Sequence, residues 1–335
     1  MDDVREHLLL SSEPSVRWKV RALVDRDDPE SRSMRSLSQA VRRSSRVRTL
    51  LARQDDHGLL RGIDDPYKKW QGAHWVLATL ADLGYPRGDR SLATMRDQVL
   101  TRWLGSGYFR EFDANTKAAA YAKPGVPRVR GRYRRCASQQ GNALYFLEKL
   151  GIADERSARL VERLLHWQWP DGGWNCDRRP EADTSSFFET RHAMLGLSVY
   201  AARTNDAAAL EAASRAAEVF LSRDLFLEGH SGRVMNPDFL RLHYPLYWYY
   251  DILGALKTMA EVGRIDDDRC QKALDLLQSK QLPSGGWAAD QRLYKVSSSL
   301  GTRTESVDWG PVSSSELNEW VTADALYVLR SAGRI

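Results

Sequence analysis

The stretch from Leu165 to Asp177, L-H-W-Q-W-P-D-G-G-W-N-C-D, constrains this chain more than any other. A helix runs into it, because Ser157, Leu160, Val161, Leu164 and Leu165 recur at helical spacing. Pro170 ends that helix: it has no N–H to give and disfavours the α conformation at Trp169. Asp171-Gly172-Gly173 is turn chemistry, the glycines admitting positive φ. Trp174 then brings a large aromatic back onto the structure just left. On local grounds this is a glued corner between two helices. The same plan returns at Gln281-Leu282-Pro283-Ser284-Gly285-Gly286-Trp287, and more loosely at Gln54-Asp55-Asp56-His57-Gly58-Leu59. Trp103–Tyr108 and Phe220–Asp224 are degenerate copies. Corners spaced by roughly 50–65 residues are the signature of an array of helical hairpins.

Periodicity between the corners predicts helices over 34–53, 67–83, 90–103, 136–150, 153–168, 185–203, 206–222, 245–262, 265–280 and 316–332, with one or two short helices in 4–25. Residues 105–134 and 288–315 combine Gly, Pro, Arg and Ser without a period and read as long covering loops. No strand alternation runs beyond a few residues, so the class is all-α. The helices form two sets. Those entering a corner are amphipathic and charged, as from Asp266 to Lys280; those leaving it are apolar almost all round, as from Phe187 to Tyr200. A helix apolar all round is buried. Alternation of the two predicts an outer ring of half-exposed helices around an inner, buried ring.

Composition narrows the class further. With 42% apolar residues, 28% charged and 11 Trp, the chain can bury a sizeable core. The repeats run throughout, which predicts one domain over 1–335, residues 1–33 completing or capping the ring. No run approaches the ~18 apolar residues of a membrane span, which leaves only peripheral membrane contact. Met-Asp-Asp-Val-Arg-Glu-His lacks the pattern of a signal peptide, and three widely spaced Cys give no disulfide framework; both fit a reducing cytoplasm. The net charge of +5 has one concentration, Arg128–Arg135, readable as a solvated loop or an anion clamp. No helix-turn-helix, zinc finger or RNA-binding aromatic motif accompanies it, so nucleic acid is not an expected partner.

The Gln-x-Pro-Asp/Ser-Gly-Gly-Trp corners resemble the QW motifs of terpenoid (squalene–hopene-type) cyclases and the matching corners of protein prenyltransferase β subunits. The resemblance covers most of the chain as a pattern of five hairpins, with a sixth at the N-terminus. It implies a single α/α toroid and a small-molecule, apolar, isoprenoid-like substrate in a central aromatic-lined cavity. In that fold the N-terminal ends of the inner helices surround the cavity mouth. The residues falling there include Trp70, His74, Arg135, Cys136, Gln139 and Gln140. Further along come Cys176, Asp177, Glu189, Arg191 and His192, then His243, Tyr247, Trp248, Tyr250, Asp251 and Trp320. Capping and exposure explain such polar groups as well as a binding site does.

Three chemistries fit parts of this set. A cyclase of the family protonates an alkene with an Asp-x-Asp-Asp run. Asp25-Arg26-Asp27-Asp28 has the letters but lies between N-terminal helices, where a charged loop is the plainer reading. Prenyl transfer in the family uses zinc held by Asp, Cys and His. By that resemblance Cys176, Asp177 and His243, the last 67 residues after the first, are the corresponding ligand set, with Cys-Asp in place of Asp-x-Cys. Diphosphate binding without metal would draw on Arg132, Arg134, Arg135, Arg191 and Arg241, whose planar forks match phosphate. The acid/base or metal candidates are Asp177, Glu189, His192, His243 and Asp251. The substrate-binding candidates are Trp70, His74, Arg135, Arg191, Tyr247, Trp248, Tyr250 and Trp320. A non-catalytic toroid that serves as a binding module is the alternative from another class.

Overall fold

A computed structural model describes residues 2–229 and 231–335. The chain alternates outer and inner helices. In chain order they are α1 (Asp2–Leu9) and α2 (Pro14–Lys19), the latter continued by a wide π-type turn over Val20–Val24. The outer α3 (Arg32–Arg42) and α4 (Ser45–Leu51) precede the inner α5 (Ala73–Asp82). Next come α6 (Ala93–Trp103), the short α7 (Lys117–Tyr121) and α8 (Ala137–Lys149). The outer–inner pairs α9 (Arg156–Trp167) with α10 (Phe187–Thr204), and α11 (Ala207–Leu221) with α12 (Ile252–Glu261), follow. The last pair is α13 (Gln271–Ser279) and α14 (Glu319–Ser331).

The inner helices close on themselves. α5 packs on α8, α8 on α10, α10 on α12, α12 on α14, and α14 on α2. The ring shuts where the Trp18 indole covers Gly84 and Lys19 Nζ reaches Asp82 at 2.8 Å. Six hairpins among the described residues thus form an α/α toroid, with α1–α2 supplying the sixth. Inner helices α8, α10, α12 and α14 are buried over most of their length, whereas α3 buries only Met34 and Val41. This is the alternation that the apolar patterning predicts.

The corners repeat atom for atom. Trp174 Nε1 donates to Leu164 O at 3.0 Å, and Trp287 Nε1 to Leu277 O at 2.7 Å, each ten residues back. Their backbone N–H groups donate to Thr190 Oγ1 and Thr322 Oγ1 on the helix that follows. Trp169 N to Gly173 O and Leu282 N to Gly286 O close the turns, and Asp55 N to Leu59 O does so in the loose copy. Gly172, Gly285 and Gly58 hold φ of 98°, 85° and 82° at the equivalent position, where a side chain would be strained.

Departures from the predicted elements have local causes. The helix expected over 34–53 is broken into α3 and α4, with Ser44 capping α4. The helix expected over 245–262 begins only at Ile252. Asp251 caps it there, and Tyr247–Tyr250 are drawn into aromatic contacts instead. Within 105–134, β1 (Glu111–Asp113) pairs parallel with β2 (Val126–Val129), which pairs antiparallel with β3 (Arg132–Tyr133). Ala114, Ala120 and Val129 with Phe112 give this insert its own small core. In 288–315, β4 (Lys295–Val296) pairs with β5 (Thr304–Glu305).

Candidate active site

The starts of α8 and α10 are brought together by glycine. A Cβ on Gly141 would lie 2.3 Å from Ala193 Cα, and one on Gly196 2.3 Å from Gly141 O, so the two helices pack backbone to backbone. The segments leading into them are tied as well: Arg134 bridges Asn175, and Arg135 N donates to Asn175 O at 3.2 Å. Cys136, at the cap of α8, and Cys176 therefore lie side by side, with Glu189 from the first turn of α10. The two sulfurs and a Glu189 oxygen all lie within 4.8 Å of one another, and all three residues are partly exposed. Cys176 Sγ donates to Glu189 Oε1 at 3.2 Å. Ser138 donates to Glu189 Oε2 from its N at 3.1 Å and from its Oγ at 2.7 Å. The hydrogen bond with Cys136, burial and the Glu189 charge together push the Cys176 thiol far above its ordinary value, so it holds its proton.

Arg135 stands beside this group. It is buried, and no ion pair with a carboxylate holds it among the described residues. Its guanidinium donates to Gln139 Oε1 at 2.9 Å and Gln140 Oε1 at 3.2 Å, and lies over Tyr108 and Trp103. Burial lowers its pKa, and the Cys136 and Glu189 charges oppose that shift. Two other arginines of the basic run make structural contacts. Arg128 pairs with Asp113, and Arg134 covers the Trp169 ring while donating to Ala182 O.

The zinc set Cys176, Asp177 and His243 expected from the resemblance is not assembled. Asp177 turns to Arg179, at 2.6 Å, and His243 Nδ1 lies 2.7 Å from Asp251 Oδ2 in a fully buried pair. Asp251 also accepts from Gly254 N and His243 N, which makes it the N-cap of α12. Glu189 and His192, three residues apart, look different ways: Glu189 meets Ser138 and Cys176, while His192 faces the axis. Burial, followed by the Arg191 and His74 charges, drives His192 well below its ordinary pKa. His74 is buried between Trp103 Nε1 and Asn142 Nδ2, each at 3.2 Å, and burial lowers its pKa to about 3. Arg191 ties α10 to α12 through Thr258 Oγ1 and Tyr249 O.

The expected chamber on the axis is a packed aromatic cluster. Trp70, at φ 66°, stacks on Tyr247 with centroids 4.1 Å apart. Trp320 stacks on Tyr244, Trp248 lies on Tyr249 beneath Lys69, and the Tyr250 hydroxyl donates to Leu225 O. The void left among Thr79, Asn142, Tyr145, Arg191, His192 and Tyr247 is ≈ 70 Å³. The axis beside it is closed by charge. Lys19 and Lys257 each bridge Asp82 and Asp324, at 2.6–3.2 Å. Burial alone would raise the Asp82 pKa, but Lys19 and Lys257 hold it far below the carboxylate range.

One titratable group in the 288–315 loop carries no sequence signal. Glu305 is 1% exposed, accepts from the Tyr247 hydroxyl and from Val307 N, and borders a cavity of ≈ 260 Å³ lined by Leu50, Leu60, Ile63, Trp70 and Val76. Burial raises its pKa to about 7. An unfolded Glu releases its proton near pH ~4.3, so the native state binds more protons between about pH 4.3 and 7. Stability from this group therefore falls as pH rises through that window. Glu305→Gln mimics the neutral form. Its advantage over the wild type should grow from near zero below pH ~4.3 to about 4 kcal/mol above pH ~8, at ~1.4 kcal/mol per pKa unit. Urea unfolding at the two ends checks this, and a pH-independent difference contradicts it.

No family model and no curated protein matches the chain. Among solved structures, a protein from Actinoplanes superposes with a TM-score of 0.46 at 15% identity, over 96% of this chain and 90% of that one. Type II terpene cyclase MstE from Scytonema gives 0.29 at 14% identity, over 90% and 98%. A single-site variant of that enzyme in complex with geranylgeranyl dihydroxybenzoate gives 0.27 at 12%, over 96% and 99%. At these scores the likeness adds nothing to the ring already evident from its own packing.

Proposed function

We propose that the chain is an enzyme acting on an isoprenoid or comparable apolar substrate, with its reactive centre at Cys136, Cys176 and Glu189 rather than on the axis. The observation that carries this reading is the convergence of two thiols and a carboxylate at paired helix N-termini, beside the buried Arg135. The Glu189 carboxylate accepts the Cys176 S–H at 3.2 Å, so it is the group placed to receive that proton once a substrate or cation engages the sulfur. Cys176 keeps its proton at rest, and the helix N-termini and Arg135 favour an anionic leaving group such as a diphosphate. Tyr108 and Trp103 offer an apolar wall next to them.

A second reading draws on the filled axis. Pockets that hold small-molecule ligands usually span ~300–1,000 Å³, far above the axial void. That favours a toroid that holds no substrate on its axis and binds a partner on its outer surface without turnover. One experiment addresses both readings. Benzophenone-bearing farnesyl and geranylgeranyl diphosphates are irradiated with the protein, and labelled peptides are mapped by mass spectrometry. The expected labels fall in 133–140 and 174–190, are saturable, and are competed by unlabelled diphosphate. Labels confined to other surfaces, or no saturable labelling, would overturn the proposed centre. Saturable labelling there with no product formed would leave the binding module.

A further inference from the structure

We infer that Cys136, Cys176 and Glu189 bind one zinc ion as a three-donor site with an open fourth position. The inference deepens the proposed reactive centre and rests on it for its catalytic meaning: Glu189 accepts the Cys176 proton in the metal-free protein and is a ligand in the metal-loaded one, where the thiols have already given up their protons. Two thiolates and a carboxylate are proper ligands for Zn²⁺, and soft sulfur donors select it over Mg²⁺ or Ca²⁺.

The spacing fits. Zn–S bonds of ~2.3 Å and Zn–O bonds of ~2.0–2.2 Å at tetrahedral angles place S and S about 3.8 Å apart, and S and O about 3.5 Å apart. The three donor atoms already lie within 4.8 Å of one another, Cys176 Sγ and Glu189 Oε1 at 3.2 Å, so shifts of at most about one ångström complete the site. The support is also present. Ser138 engages Glu189 Oε2 twice and leaves Oε1 toward the sulfurs, the outer-shell device that orients a ligating carboxylate. The Arg134–Asn175 bridge and the Gly141–Ala193 contact fix the backbone on both sides.

Charge permits it. Two thiols give up two protons as one Zn²⁺ enters, so the net charge next to the buried Arg135 does not change. All three donors are partly exposed, which gives the metal a way in and leaves the fourth position to water or substrate. The site departs from the ligand set expected on family grounds. Asp177 and His243 are held elsewhere, by Arg179 and Asp251, and Cys136 takes part instead.

The test uses the full chain, reduced with a phosphine, stripped with a chelator and titrated anaerobically with Co²⁺. The expected result is one Co²⁺ per chain, with a near-ultraviolet sulfur-to-cobalt band of two-thiolate intensity that Zn²⁺ abolishes. Binding should weaken at least ~100-fold in Cys136→Ser and in Cys176→Ser, ~10–100-fold in Glu189→Gln, and not at all in Asp177→Asn. Should a serine variant fail to fold, Zn²⁺ on the wild type should shield Cys136 and Cys176 from a thiol reagent, while Cys270, fully buried, stays unreactive with or without the metal. No sulfur-to-cobalt band up to about pH 8, a band that survives both serine variants, or a reduced protein that only forms a Cys136–Cys176 disulfide would each overturn the site. The titration contains no isoprenoid, so its failure is separate from that of the proposed function. A metal-free enzyme and a zinc-bound protein without turnover are distinct outcomes.

Discussion

Asp324→Ala should destabilise the protein by about 3–5 kcal/mol, the range for removing one partner of a buried ion pair. Asp324 is 1% exposed and lies between Lys19, fully buried from α2, and Lys257, nearly so from α12. Both lysines also share Asp82 of α5. Four inner helices thus meet through four charges, two of each sign. Removing Asp324 leaves two ammonium groups on one carboxylate in a place that water reaches poorly, and the uncompensated cation carries most of the cost. Against a typical total of ~5–15 kcal/mol, the loss is large. Urea unfolding followed by far-UV circular dichroism measures it. Asp324→Asn, which keeps the shape and drops the charge, should lose nearly as much. A change under ~1 kcal/mol in both variants would mean that the lattice does not hold the ring.

Much of this ring was legible because its signals are local. Pro170 and the glycines at 172 and 285 obey backbone rules that need no tertiary knowledge, and they mark both strong corners. The apolar surround of Phe187–Tyr200 announces an inner helix, and the predicted 136–150 and 153–168 match α8 and α9 within a few residues. The failures lie where distant chain decides. Tyr247–Tyr250 has helical letters, but Trp70, far away in sequence, stacks on Tyr247 and holds that run out of the helix. The aromatic residues that look like a cavity lining satisfy one another instead.

The site divides the same way. Cys176 and Glu189 stand out beside the central corner, one just after it and one in the first turn of α10. Cys136 enters only because a bridge between Arg134 and Asn175 and a glycine contact in α8 bring a segment 40 residues earlier alongside. No periodicity encodes that pairing. His243 has the spacing of a metal ligand, yet Asp251, eight residues on, is nearer and buried with it. Glu305 is invisible in sequence because its burial is wholly tertiary, supplied by Tyr247 and the floor under the loop.

The largest effect on activity is expected at Glu189. Its Oε1 faces Cys176 Sγ at 3.2 Å, while Ser138 fixes Oε2, so Glu189→Gln keeps the shape and removes both the base and the charge. Loss of a positioned general base typically costs ~10²–10⁴-fold in rate. A partly exposed carboxylate that seals no core should cost little stability. The decisive measurement is therefore the turnover of Glu189→Gln against wild type, with the isoprenoid diphosphate that labels best and with zinc both added and omitted, alongside thermal unfolding of both proteins. The account predicts a fall in kcat of at least ~100-fold with an unchanged melting transition. Wild-type turnover retained within a few-fold by the folded Glu189→Gln protein would contradict it.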